Sequence, residues 1–196
     1  DVVIERARHA LAALRSEGDP VGLALRAARE LEAQGAHDRA FALYLRLEDA
    51  VAAGLPAPPP SPDEALHRAV VARAAGRHGE ARRRCEGVLA EARGRRDGEL
   101  LARAALTLGA ELRPGTVDPG LVTALREAQT LLTSTSTRAL ALACRVEARL
   151  AAALQPADDP RVPMAMAEQA IAEARALGDP ALLREVLQTA GAALVD

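Results

Sequence analysis

The sequence predicts an all-α fold, an array of repeated helix pairs with about ten helices. A frame of Gly, one residue, His, two residues, Ala stands at Gly35–Ala40 and again at Gly76–Ala81, flanked on both sides by apolar residues at helical spacing. Its glycines are 76 − 35 = 41 positions apart, within the range of about 20 to 50 residues that marks repeat architectures. A second signal, Gly-Asp-Pro, occurs at Gly18 and at Gly178, 178 − 18 = 160 positions apart, close to four units of about 40. Composition agrees. Phe41 and Tyr44 are the only aromatic residues besides histidine, so the core must be built from Ala, Leu and Val, and Ala and Leu are strong helix formers.

The first helix is expected over Val2 to Glu17, where Val3, Ala7, Ala10, Leu11 and Leu14 form one stripe that Gly18 ends. Asp19 and Pro20 then serve as N-cap and first residue of a helix reaching about Gln34. Gly35 stops it, and Asp38 is a candidate cap for a third helix to about Ala53. Leu55 to Pro62 holds five prolines and must run extended, in a polyproline-like path, because each proline removes a helical donor. The repeat frame resumes beyond it. The Pro-rich loop at 55–62 is therefore read as a long connection inside one domain of residues 1–196.

Ser61, Pro62 and Glu64 make a capping box for the fourth helix, which ends at Gly76. A fifth follows from about Gly79 to Gly94, and Asp97 caps a sixth to about Leu112. Asp118-Pro119 opens a seventh to near Leu132, and an eighth covers about Arg138 to Leu154. A ninth runs from about Met164 to Leu177, and Asp179-Pro180 opens the tenth.

All 25 basic residues are Arg, and Lys and Asn are absent. That pattern fits a high-GC coding bias, so Arg runs such as Arg82-Arg83-Arg84 point only weakly to nucleic acid. The net charge of −2 gives no general attraction to nucleic acid or anionic membranes. Cys85 and Cys144 are isolated and read as small buried hydrophobes in a reducing compartment. No apolar run approaches the roughly 18 residues of a membrane span, and no leader-like segment is present. The expected location is cytoplasmic. Because Asp1 falls within a helical pattern, the chain reads as a fragment of a longer protein.

The two frames resemble the tetratricopeptide (TPR) repeat, which has a turn Gly at mid-unit and a small residue early in the second helix. Ala28 and Ala69 fall where that family has a small first-helix residue, and Tyr44 matches its large second-helix residue. His37 and His78 stand where an aromatic is usual. The resemblance implies a right-handed superhelix of antiparallel helix pairs. The segments Leu101–Gly109, Val117–Val122 and Leu177–Leu183 are similar to the helical-repeat regions of LuxR-type and related ATP-binding, STAND-like regulators from high-GC bacteria. In those proteins an NTPase module precedes the repeats, and a DNA-binding domain often follows. This chain carries no phosphate-binding GxxxxGK[ST] loop.

The resemblance implies a module for protein interaction or effector sensing in a multidomain regulator, transcriptional in output. A free-standing adaptor that bridges two proteins is the alternative. Carried onto the two well-matched repeats, the family's groove positions are Arg29, Glu32, Asp63 and Arg73. Arg there could fork onto a carboxylate of a peptide or small acid. Neither a serine-nucleophile elbow nor a metal-ligand spacing is present, so no catalytic residue, metal or cofactor is expected. The expected partners are a protein segment, a neighbouring domain of the parent chain or a small effector, with self-association through exposed terminal helices also open.

Overall fold

The computed structural model describes residues 19–111 and 115–194. Among these residues there are nine α-helices and no strand. They are α1 (Pro20–Ala33), α2 (His37–Ala52), α3 (Pro62–Ala74), α4 (His78–Arg95), α5 (Gly98–Leu108), α6 (Pro119–Leu131), α7 (Thr137–Ala153), α8 (Arg161–Ala176) and α9 (Pro180–Leu194). The helix expected over Val2 to Glu17 lies outside the described residues. The chain divides into two compact units, 1–84 and 85–196, and the division falls within α4. The Pro-rich connection lies inside the first unit.

The predicted caps are in place at most helix starts. Asp19 accepts from the Gly22 amide at 2.8 Å, Ser61 from Glu64 at 3.2 Å and Asp97 from Leu100 at 2.9 Å. Asp118 accepts from Gly120 at 3.0 Å, and Asp179 from Ala181 at 2.8 Å. Each satisfies a first-turn donor that the helix cannot pair itself. Asp38 does not cap. The N-cap of α2 is Ala36, without a side-chain hydrogen bond, and Asp38 sits inside the first turn, where its charge favours the helix dipole.

The glycines of the repeated frame do the same work twice. Gly35 has φ 73° and Gly76 φ 70°. Just beyond them the Ala36 amide reaches back to the Leu31 carbonyl and the Arg77 amide to the Ala72 carbonyl, each at 2.8 Å. This is the six-to-one closure of a Schellman turn, and its left-handed residue is best supplied by glycine. The ninth predicted helix starts earlier than expected, at Arg161 (α8), and includes Pro163. A first-turn residue has no intrahelical acceptor for its amide, so proline costs nothing there.

In the first unit, Ala27, Ala28 and Leu31 of α1 pack with Ala40, Phe41, Leu43 and Tyr44 of α2, with Val71 and Ala72 of α3, and with Ala81. Ala28 and Ala69, the two predicted small positions, are fully buried. Small side chains let helix axes approach at the short end of the usual 8–10 Å range.

In the second unit, α7 contacts α5, α6, α8 and α9, and no residue from 141 to 154 is exposed. Its buried positions are Ala139, Leu142, Cys144, Val146, Ala148 and Leu150 to Ala153, with Arg145 and Glu147 between them only partly covered. Cys144, Ala148 and Ala151 of α7 pack with Ala167, Ala170, Ile171 and Ala174 of α8 and with Leu182, Val186 and Ala190 of α9. Gly98, buried at the start of α5, is fitted against α6. A β-carbon there would stand 2.4 Å from the Leu131 carbonyl oxygen. Helical Gly→Ala changes ordinarily stabilise, but Gly98→Ala is expected to destabilise by about 1–2 kcal/mol, since backbone must move to admit it. Thermal unfolding of the variant checks the sign.

Candidate functional site

Four glutamates, one on each of α1 to α4, stand at equal steps of 16 along the chain: Glu32, Glu48, Glu64 and Glu80. The folded first unit interleaves them with arginines and one histidine in a polar ladder. Arg29 of α1 pairs with Glu64 of α3 at 2.5 Å. Arg68 reaches Glu64 at 3.3 Å and Glu48 at 3.0 Å. Arg84 then binds Glu48 through two nitrogens, at 2.8 and 2.7 Å. Its Nε lies 2.8 Å from Glu80 but without hydrogen-bond alignment, so that contact is one of charge. Glu32 accepts from the Tyr44 hydroxyl at 2.8 Å, and its other oxygen meets Nε2 of His67 at 2.6 Å.

The ladder rests on the two aromatic residues. The Arg68 guanidinium lies 5.1 Å from the centre of the Tyr44 ring, and that of Arg84 lies 5.5 Å from the Phe41 ring. Both fall within cation–π range. Arg68 is only 7% exposed, so its charge depends on these partners. Burial works against ionisation of Glu48, but the hydrogen bonds and charges of Arg84 and then Arg68 outweigh it. The carboxyl is held below the usual carboxylate range. The Glu48 hydrogen bond correspondingly raises Arg84. Burial, and after it the bond to Glu32, pushes the Tyr44 hydroxyl well above its ordinary value. Tyr44 is thus a donor and no acid.

Arg29 and Glu32, expected as groove residues, join this one network through α3. Asp63 and Arg73 do not stand together. They are ten residues apart on α3, about 15 Å along its axis. Asp63 is exposed in the first turn, while Arg73 is half-buried near the other end, its Nε enclosed without a hydrogen-bond partner. Glu48, Glu64, His67, Arg68 and Arg84 were not anticipated. The 16-residue step of the glutamates was readable, but which arginine meets which glutamate was not. Arg82-Arg83-Arg84 is no uniform basic patch: Arg83 is exposed, whereas Arg84 turns inward to Glu48.

A second group of polar side chains lies in the second unit, between α7 and α8. Cys144 Sγ is 4.0 Å from Glu173 Oε2, and Gln169 donates to the other oxygen of Glu173 at 3.0 Å. Burial, then the charges of Glu173 and Glu147, push the Cys144 thiol up, so it is held as the unreactive thiol. Glu147, half-buried one turn along α7, is pushed up to about 7 by burial first and by Glu173 second. Cys144 and Cys85 are both buried, and neither forms a disulfide. Among the described residues, no group of three or more His, Cys, Asp or Glu side chains could hold a metal ion, and no helix is long and apolar enough to cross a membrane.

Chemically, the ladder sets three arginines and a histidine against four glutamates and ties four helices together. Its accessible edge is Arg29, 46% exposed, beside Glu64. Comparison with protein-family models, curated proteins and solved structures gives no match for this chain.

Proposed function

We propose that the chain is a TPR-like helical-repeat module that receives an acidic protein segment or small acidic effector within a larger cytoplasmic regulator, transcriptional in output. The observation that carries this reading is the Arg29–Glu64 pair at the exposed edge of the ladder, which joins α1 of one helix pair to α3 of the next. A ligand carboxylate can take Arg29 from Glu64, because exposed ion pairs are worth only about 0–1 kcal/mol and exchange readily. Glu64 keeps Arg68, so α3 remains anchored while α1 loses one tie. Ligand binding then favours one arrangement of the helix pairs over another, as any conformational signal requires.

The spacing of the helices supports the repeat part of this reading. The second helices of successive pairs start at His37, His78, Pro119 and Arg161. The steps are 78 − 37 = 41, 119 − 78 = 41 and 161 − 119 = 42. The right-handed superhelical arrangement belongs to the same proposal, as do an NTPase part elsewhere in the parent chain and an absence of catalysis in this segment.

Hydrogen exchange on the parent protein, with and without the stimulus that switches its output, tests the proposal. Protection should change over Pro20–Ala74, and Arg29→Ala should abolish that change without unfolding the chain. Unaltered exchange across this segment would overturn the sensing role and leave a passive adaptor.

A further inference from the structure

None of the residues of the segment between α2 and α3, Leu55-Pro56-Ala57-Pro58-Pro59-Pro60-Ser61, is buried, and only Leu55 and Ala57 are partly covered. Its conformation follows from its sequence. Proline fixes φ near −65° at 56, 58, 59 and 60. A following proline drives ψ of residues 55, 57, 58, 59 and 61 into the extended range. Residues 58 and 59 are constrained in both angles, and Ser61 continues the path at φ −63°, ψ 158°. These values are those of polyproline II. The segment is anchored at both ends. The Leu55 amide reaches the Ala50 carbonyl at 2.9 Å, and Ser61 caps α3.

Pro56, Pro58, Pro59 and Pro60 are all exposed. With three residues per turn, Pro56 and Pro59 lie on one edge. Among the described residues, no backbone–backbone hydrogen bond engages residues 56 to 60. The ordering cost that a flexible ligand would meet on binding is largely absent here.

We propose that this strap is a docking ligand for an aromatic-lined groove on a partner protein. Such grooves read preformed polyproline II helices by packing rings against the prolines. The groove must belong to another protein, and a second copy of this chain cannot supply it. The chain has one Phe and one Tyr and no Trp. Both rings are buried, at 4% and 1% exposure, beneath the arginines of the ladder. Charge narrows the partner further. Residues 55 to 61 carry no ionisable side chain, so an acidic rim would meet no partner there and the rim of the groove is neutral or basic. This surface is separate from Arg29, and the inference stands or falls independently of effector sensing.

The test titrates the full 196-residue chain with two fluorescent probes, a WW domain with a basic rim and an SH3 domain with an acidic rim. The WW probe should bind. The double variant Pro56→Ala/Pro59→Ala should weaken that binding by about tenfold or more, with the chain still folding cooperatively and its thermal midpoint lowered by only a few degrees. An exposed, non-helical alanine leaves the packing alone, so the variant should fold. Absence of WW binding up to about millimolar concentration would overturn the proposal. Equal binding by the double variant, or binding by the SH3 probe alone, would overturn it as well.

Discussion

Arg68→Ala should lower the unfolding free energy of the first unit by about 3 kcal/mol, with a fall in the denaturant midpoint and no change in slope. The side chain is nearly buried and serves Glu48, Glu64 and the face of Tyr44 at once. Truncation leaves two carboxylates short of a partner, and breaking a buried pair from one side costs roughly 3–5 kcal/mol. The lower end applies because Glu48 keeps Arg84 and Glu64 keeps Arg29. Arg68→Met, which retains most of the volume, separates packing from charge. A double-mutant cycle of Arg68→Met with Glu48→Gln should give a coupling of about 1–2 kcal/mol, while Glu48→Gln alone also costs the bond to Arg84. A loss below about 1 kcal/mol for Arg68→Ala would show that the ladder is an ornament of the surface rather than a tie between helices.

The second prediction has the opposite sign. Glu147→Gln should stabilise the second unit at neutral and alkaline pH. Glu147 carries a folded-state value of about 7 against an ordinary 4.5, because α7 is enclosed and Glu173 faces it. Between these two values the folded chain holds more protons than the unfolded chain. Stability linked to this group is therefore fully present below pH 4.5 and is lost as pH rises through about 7. Moving a carboxyl that far corresponds to roughly 3 kcal/mol at full effect. Partial exposure to solvent reduces this to about 1.5–2 kcal/mol. Unfolding of wild type and Glu147→Gln across pH 4 to 8 should thus give curves that diverge only above about pH 5. Parallel curves would mean that Glu147 ionises freely in the fold.

Both predictions concern charges, and charges are where sequence and structure part company. The helices were largely legible. Helix stops and starts are local chemistry, a left-handed glycine or a short acceptor side chain within three residues of the amide it serves. The recurrence of Gly35 and Gly76 carried the period, and the burial of Ala28 and Ala69 followed from it. Where the local reading erred, as at Asp38 and Pro163, two admissible first-turn positions competed within a few residues. The placing of Arg29 and Glu32 in one network was half-visible, since both lie on the same stretch of α1. The separation of Asp63 from Arg73 needed only the helical rise.

Helicity, most helix ends and the close approach of helices at small residues can be read from residue order alone. Those outcomes depend on backbone geometry and on contacts within a turn. Packing is what sets Arg84 against Glu48, 36 residues away, pairs Glu127 and Glu185 across helices with Arg93 and Arg145, and leaves Glu147 half-buried opposite another acid. An arginine side chain is long and can meet an acid on its own helix or on a neighbouring one. Which acid it meets, and how much water remains between them, is fixed only when the helices have packed.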